Sequence, residues 1–114
     1  MQITVNRDVF LKSLSHAYGV IEKKTTLPIL SNILIEAKDS KVKITATDLD
    51  LIYSEVMPLQ ELKVEGSTTT SANILYDILR KLEPDAKVDL SLQSANKLKL
   101  ISGNSKFNLL CIPS

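Results

Sequence analysis

Few side chains in this sequence have the types and spacing that catalysis requires. Asp48 and Asp50 form the carboxylate pair that an enzyme could most readily use, because residues i and i+2 of a strand point to the same face. The two residues lie at a junction between strand candidates, where aspartate commonly accepts turn hydrogen bonds. A metal ion would need at least a third ligand, and the sequence shows none beside this pair. A turn is therefore favoured over a catalytic or metal-binding pair.

The only histidine and the only cysteine give no stronger indication of chemistry. His16 shares the polar side of a predicted helix with Lys12, and no carboxylate three or four residues away would orient its ring, so a surface histidine is favoured. Cys111 falls on the inward side of an apolar strand, which is typical of a core thiol. These two residues cannot supply the four ligands of a structural zinc site. We therefore expect neither a catalytic residue nor a cofactor nor a metal.

The length and charge of the chain further limit the classes of protein to which it could belong. The 114 residues suit one domain, and 14 Lys and Arg against 13 Asp and Glu leave a formal charge of +1, which does not mark a nucleic-acid binder. Aromatic residues make up 4% of the chain, so we do not expect it to bind nucleic acid by stacking bases on a row of aromatic side chains. No targeting segment and no run approaching the ~18 apolar residues of a membrane span is present. We expect a cytoplasmic protein without a membrane partner.

Hydrophobic periodicity predicts the elements of the first half of the chain. A strand over residues 2–5 precedes a helix that Asn6 caps and that ends near Tyr18, with Gly19 as its stop. Lys23 and Lys24 then fall in a basic loop. Three strands follow, over residues 31–37, 41–47 and 49–57.

The second half repeats this order after a polar connection over residues 58–66. Ser71 caps a helix from Ala72 to about Leu82. The strands of this half are predicted over residues 67–70, 87–93, 97–102 and 106–112. We therefore predict an α+β fold with a duplicated β-α-β-β-β unit, whose two helices pack on one face of a curved antiparallel sheet.

The last predicted strand departs from simple alternation. Phe107, Leu109 and Cys111 face one side, yet Leu110 and Ile112 make the other side apolar as well. An edge strand of this kind invites pairing with, or burial by, another chain.

Three segments at matching spacing resemble the first domain of the bacterial sliding clamp, the β subunit of DNA polymerase III. They are TLPILSN at 26–32, TDL at 47–49 and SGNSKF at 102–107. The resemblance implies a DNA-clamp fold for residues 1–114, as the first of three domains in a subunit. It also implies a homodimeric ring whose helices line the hole for duplex DNA, while polymerase and clamp loader bind through domains absent from this chain.

The resemblance also implies which residues face DNA. Lys24 stands where clamps tend to place a basic residue before the Leu-Pro turn, and Lys23 extends that charge. Arg80 matches a basic family position, whereas Asn73 replaces one, although an amide can still donate to phosphate. Lys12 and Arg7 are candidates of second rank. Each of these contacts has an alternative that does not involve DNA. Lys23 and Lys24 could lie in a solvated loop, and Arg80 could stabilise the C-terminus of its helix.

The resemblance assigns the last strand to the subunit interface, through Lys106, Phe107 and Leu109. Ile74, on the second helix, replaces a charged family residue near that interface. A small stand-alone α+β enzyme or protein-binding module, or a scaffold that binds only protein, remains the alternative function.

Overall fold

The computed structural model describes residues 1–24, 32–47 and 52–112, and its account of side chains leaves out positions 18–24, 47 and 112. Most of the segment 26–32 and the Asp48 and Asp50 pair therefore lie outside the described residues.

The described residues form two helices and a nine-stranded sheet in which every pairing is antiparallel. The elements are β1 (Gln2–Asn6), α1 (Arg7–Lys24), β2 (Asn32–Lys38), β3 (Lys41–Thr47), β4 (Ile52–Pro58), β5 (Glu61–Val64), β6 (Gly66–Ser71), α2 (Ala72–Lys81), β7 (Lys87–Ser94), β8 (Lys97–Ser102) and β9 (Ser105–Ile112). The strand order in the sheet is β4-β3-β2-β6-β9-β8-β7-β1-β5. This arrangement confirms the predicted α+β class.

Helix α1 begins as predicted and ends later than predicted. The Asn6 side-chain oxygen accepts hydrogen bonds from the backbone N–H groups of Asp8 (2.9 Å) and Val9 (3.2 Å), which confirms the N-cap. The predicted stop at Gly19 is wrong, because the helix continues to Lys24. A glycine inside a helix costs only about 1 kcal/mol relative to alanine. Lys23 and Lys24 consequently belong to the last helical turn and not to a loop.

Strand β5 is missing from the sequence prediction, which places a polar connection there. It pairs with β1 through Gln2↔Val64, Ile3↔Leu62 and Thr4↔Glu61. Its four residues alternate too briefly to give a detectable period of two, and only Leu62 and its neighbours on β1 show which side is inward.

The core lies between the two helices and the sheet. Helix α1 contacts β1, β3, β4 and α2, while α2 also contacts β2 and β6. Each helix buries one apolar stripe. The stripe of α1 contains Phe10, Leu14 and Ala17, with Leu11 half-buried beside them, and the stripe in and after α2 contains Leu75, Ile78, Leu79 and Leu82. Cys111 is a buried free thiol, as predicted.

Within the part of the chain that is described, no helix combines the length and apolarity needed to cross a bilayer.

Candidate nucleic-acid interface

The polar sides of α1 and α2 lie on adjoining surfaces, because the two helices contact each other. Lys12 on α1 is exposed, and so are Arg80 and Lys81 at the end of α2, whereas Asn73 is half-buried. The exposed acids are Asp77 on the same side of α2 and Asp8, which lies one turn before Lys12 on α1. Positive charge thus exceeds negative charge on the described part of this helix-pair surface.

Arg80 is held in place from two directions. Its guanidinium carbon lies 5.6 Å from the centroid of the Tyr76 ring, a distance at which the ring face attracts a cation. Its backbone carbonyl accepts a hydrogen bond from the Arg7 Nη2 atom at 3.3 Å. The side chain therefore rests on an aromatic surface at the end of a capped helix while remaining exposed.

Arg7 does not share the exposure of Arg80. Its Nε atom donates to the Leu79 carbonyl at 2.8 Å, and its Nη1 atom lies 3.0 Å from an Asp8 carboxylate oxygen. Its side chain is 14% exposed. The guanidinium therefore caps the carbonyls at the C-terminus of α2, which carry partial negative charge. This engagement favours a capping role over the predicted phosphate contact, and no sequence signal links residues 72 positions apart.

Further polar contacts join the start of α1 to the turn after α2. The Asp8 carboxylate accepts from the Asp85 backbone N–H at 3.0 Å, and Asn6 Nδ2 donates to an Asp85 carboxylate oxygen at 2.7 Å. The bond from Asp85, followed by the neighbouring Arg7, lowers the pKa of Asp8. We call the contacts among Asn6, Arg7, Asp8, Asp85 and the end of α2 the cap junction.

Lys23 and Lys24 lie in the last turn of α1 by their backbone. Their side chains are outside the described part of the chain, so the two predicted contacts stay predictions.

A second polar cluster ties α1 to β4, and sequence reasoning missed it. The Glu55 carboxylate oxygen Oε1 lies 2.8 Å from His16 Nδ1 and accepts from the Tyr53 hydroxyl at 2.7 Å. Ser13, which is buried, hydrogen-bonds to the same carboxylate. We call these four residues the Glu55 cluster. Only tertiary structure reveals it, because Glu55 is 39 residues from His16.

Contacts within the Glu55 cluster shift the pKa values of Glu55 and Tyr53 in opposite directions. Burial raises the pKa of Glu55, but hydrogen bonds from Ser13, Tyr53 and His16 outweigh that effect and lower it to about 2. The hydrogen bond to Glu55, with burial, raises the pKa of Tyr53 to about 12. Ser13 and His16 both face the carboxylate, so the histidine is not placed as a base for the serine hydroxyl.

An apolar groove lies where β6 and β9 separate. Within residues 66–112, these strands pair at Thr69↔Ile112 and Thr70↔Cys111 and at no other position. The groove between them includes Ile74 and Leu110. Ile74 is 56% exposed and Leu110 is 85% exposed. We call this groove the open seam.

The four predicted interface residues occupy different environments around the open seam. Ile74 lines the seam and Lys106 is exposed. Phe107 is half-buried and packs against the core, while Leu109 is 4% exposed and belongs to the core itself. Leu110, which the prediction leaves out of the interface, is the most exposed apolar side chain of the seam. Its outward position follows from the alternation along β9, so the sequence did carry the signal.

Metal binding has no support among the described residues, where no three His, Cys, Asp or Glu side chains come together.

Comparison with known families gives a match to the N-terminal domain of the DNA polymerase III beta subunit over residues 1–114. This chain belongs to that family. The resemblance inferred from the sequence is thereby confirmed.

The relatives of this beta-subunit domain are sliding clamps, and their similarity extends over the whole of this chain. The beta sliding clamp of Caulobacter vibrioides is 40% identical over 116 residues, covering 100% of this chain and 31% of the relative. That of Pseudomonas putida is 34% identical over 114 residues, with the same two coverages. The chain thus spans about a third of the length of these relatives.

Solved beta subunits share the fold. The DNA polymerase III subunit beta from Pseudomonas aeruginosa superposes with a TM-score of 0.90 at 32% identity, covering 100% of this chain and 30% of that one. A sliding clamp from Bartonella birtlesii bound to griselimycin gives a TM-score of 0.89 at 40% identity, with the same coverages. A stand-alone enzyme or protein-binding module is not favoured by these relationships.

Proposed function

We propose that this chain is the N-terminal domain of a DNA sliding clamp, a non-catalytic processivity factor that encircles duplex DNA and tethers the replicative polymerase. The observation that carries the proposal is the family match over residues 1–114, with relatives named as sliding clamps. In this proposal the chain is a single clamp domain, the first of three, and two subunits form the ring. Polymerase and clamp loader bind through the other domains, and the ring works in the cytoplasm at the nucleoid.

The pairing pattern supports a duplicated β-α-β-β-β unit within this domain. The first unit comprises β1, α1, β2, β3 and β4, and the second comprises β6, α2, β7, β8 and β9. Strand β1 pairs with β7, and β6 pairs with β2, so the first strand of each unit pairs with the second strand of the other. The last three strands of each unit are neighbours in the sheet. Strand β5 is the addition that lies outside this repeat.

The helix-pair surface is the part of this domain that faces DNA. Its proposed contacts are Lys12, Lys23, Lys24, Asn73 and Arg80. A ring that slides needs contacts to phosphates, which repeat along any sequence, and direct readout of bases would hold it at particular sites. Long cationic side chains on two exposed helix faces meet that requirement. The nearly neutral total charge of the chain keeps the electrostatic attraction to DNA weak enough for movement.

The open seam is the side of the domain that meets the partner subunit. Lys106, Phe107, Leu109 and Ile74 are the proposed interface residues, with Leu109 acting from the core by supporting the strand. Exposed apolar side chains beside an incompletely paired strand are suited to burial by another chain. The partner would extend the sheet at β9.

Charge reversal on the two faces of the domain tests the proposal in a full-length subunit that begins with this chain. Lys23→Glu with Lys24→Glu, and separately Arg80→Glu, alter the helix face. Lys41→Glu with Lys43→Glu makes a matched change on the opposite face of the sheet, since Val42 and Ile44 of the same strand point into the core. The readout is residence time on closed circular DNA after loading at low salt.

The helix-face variants should shorten residence, while the sheet-face variant should leave it unchanged. Because each phosphate contact contributes a slope of about 0.9 to the salt dependence of binding, the helix-face variants should also reduce that slope. Equal effects of both sets would contradict the assignment of the DNA-facing surface.

A further inference from the structure

His16 lies on the helix-pair surface and is tied to an acid from another element. It follows Lys12 by one helical turn, which puts both side chains on the same side of α1. Its side chain is 47% exposed even though Nδ1 is 2.8 Å from Glu55. The ring therefore has one nitrogen engaged by the protein and a substantial area open to solvent.

The Glu55 cluster determines which nitrogen is available. An ionised carboxylate only accepts hydrogen bonds, so His16 Nδ1 must carry the hydrogen in this contact. In the neutral ring Nε2 then holds a lone pair, which repels a phosphate oxygen. When the ring takes up its second proton, Nε2 becomes a charged donor. No protein partner for Nε2 is found among the described residues.

We propose that His16 is a protonation-dependent phosphate contact on the helix-pair surface, and that Glu55 is the positioning residue that fixes its tautomer. The inference rests on the proposed function, because it assigns regulation to the surface that faces DNA. Binding to DNA strengthens as the pH falls, since only the protonated ring offers a hydrogen bond and a positive charge to phosphate.

The groups around His16 allow this change to be attributed to the imidazole. Strand β4 contributes Glu55 and Tyr53, and α1 itself contributes Lys12 and Ser13. Glu55 stays ionised and Tyr53 stays neutral between pH 6 and 8, given pKa values of about 2 and about 12. The described inward side chains of β3 are the apolar residues Val42, Ile44 and Ala46. The charged groups of α2 are Asp77, Arg80 and Lys81, and none is ion-paired with His16 among the described residues.

Binding of a full-length subunit that begins with this chain to a short linear duplex, at low salt and at pH 6 and pH 8, tests the proposal. The wild-type affinity should rise between pH 8 and pH 6 by about two- to fivefold more than that of His16→Gln, the range for one exposed charge contact. His16→Arg should bind more tightly than the wild type at pH 8, because its side chain is charged at both pH values. Lys12→Gln is the matched control and should weaken binding by the same factor at both pH values.

Nitrogen NMR of the imidazole tests the role of Glu55 separately. Glu55→Ala should shift the neutral ring from the Nδ1–H form toward the Nε2–H form, a change that a merely structural role would not produce. An unchanged tautomer would overturn the positioning role.

Equal pH dependence in the wild type and in His16→Gln would overturn the phosphate contact. His16→Asn is a second neutral variant that checks this result if the first folds poorly. If Arg80→Glu also leaves DNA binding unchanged, then the proposed DNA-facing surface itself has failed. If Arg80→Glu weakens binding, only the inference about His16 is wrong.

Discussion

The cap junction and the open seam join parts of the same fold by opposite means. At the cap junction, the Arg7 guanidinium donates to the Leu79 and Arg80 carbonyls, and Asp8 and Asp85 complete the contacts within the chain. At the open seam, the described parts of β6 and β9 share two residue pairs, and Leu110 and Ile74 remain exposed. The first region is polar and satisfied, whereas the second is apolar and uncovered.

The difference indicates which surface is available for assembly. The Arg7 side chain is only 14% exposed, and a charged group that is largely buried is costly unless it is paired. The chain itself supplies that pairing at the cap junction, through the Leu79 carbonyl and the Asp8 carboxylate. Exposed apolar side chains, such as Leu110 and Ile74, are stabilised most when another chain buries them. This contrast supports the proposal of subunit contact at the open seam and indicates structural support at the cap junction.

The largest effect is expected from charging the open seam. Ile74→Glu with Leu110→Glu in the full-length subunit should weaken dimerisation by about 100-fold, since the interface would have to bury two unpaired charges. Sedimentation at a series of protein concentrations measures the change. Both residues are exposed in this domain, so its folding should be little affected.

Val64→Glu is the matched control for that experiment. Val64 is 51% exposed on β5, which lies at the end of the sheet beyond β1. Its charge should leave the dimer intact. Dimers of normal affinity from the Ile74 and Leu110 variant would place the subunit interface elsewhere. Leu109→Ala is a poor test, because Leu109 is part of the core and its removal would destabilise the domain.

Removing the central cation of the cap junction should destabilise the fold. Arg7→Ala leaves the Leu79 and Arg80 carbonyls and the Asp8 carboxylate without this donor, and we expect a loss of about 2 kcal/mol in the free energy of unfolding. Urea denaturation of the 114-residue chain measures it. Arg7→Lys keeps the charge and should recover part of the loss, because an ammonium cannot reach both carbonyls with the fork of a guanidinium.

If Arg7→Ala destabilises the chain but leaves DNA binding through Arg80 unchanged, then the cap junction is structural and distinct from the DNA-facing surface. A stable Arg7→Ala variant that binds DNA less well would instead return Arg7 to the phosphate contacts predicted from the sequence.

Local signals in the sequence predicted most of the fold. The N-caps at Asn6 and Ser71 and the buried positions of both helices depend on neighbours within a few residues, and the structure confirms them. The end of α1 was misplaced because Gly19 disfavours a helix without forbidding it. Strand β5 was missed because its inward side is defined only by pairing with β1.

The functional surfaces were less predictable than the fold. Exposed cations such as Lys12 and Arg80 follow from helical periodicity, but the partners of Arg7 and His16 lie 72 and 39 residues away. No periodicity records such contacts. The sequence therefore predicts which face of a helix carries a charged side chain, but it does not predict the distant groups that contact that side chain.

The Glu55 cluster is a polar contact between α1 and β4 of the same chain, and the stability that it contributes should depend on pH. The pKa of Glu55 is lowered from 4.5 to about 2, so the folded chain prefers the ionised form. This stabilisation is present above pH 4.5 and is lost as the pH falls toward 2. Solvent screening limits it to the order of 1 kcal/mol.

Urea denaturation at pH 7, 4 and 3 should show a steeper loss of stability for the wild type than for Glu55→Gln. Asp8→Asn provides a comparison at the cap junction, since the pKa of Asp8 is also lowered. Parallel pH profiles for the wild type and Glu55→Gln would mean that the cluster does not hold α1 to β4.

The smallest expected effect comes from comparing two threonines of β6, Thr70 and Thr68. Both are buried, but the Thr70 hydroxyl donates to the Leu110 carbonyl at 2.9 Å, whereas the Thr68 hydroxyl has no partner among the described residues. Valine has nearly the same shape as threonine. Thr70→Val should therefore destabilise the chain by about 1 kcal/mol, and Thr68→Val should be neutral or stabilise it by about 1 kcal/mol.

Urea denaturation of the two variants side by side measures this difference in sign. Thr70 lies where β6 and β9 still pair, so its hydrogen bond helps to hold the strand that carries Leu110. Thr70→Val should then increase amide hydrogen exchange in β9, while Thr68→Val should not. Equal exchange in both variants would show that β9 is held by its pairing with β8 alone, and that the open seam contributes nothing to the domain before a partner covers it.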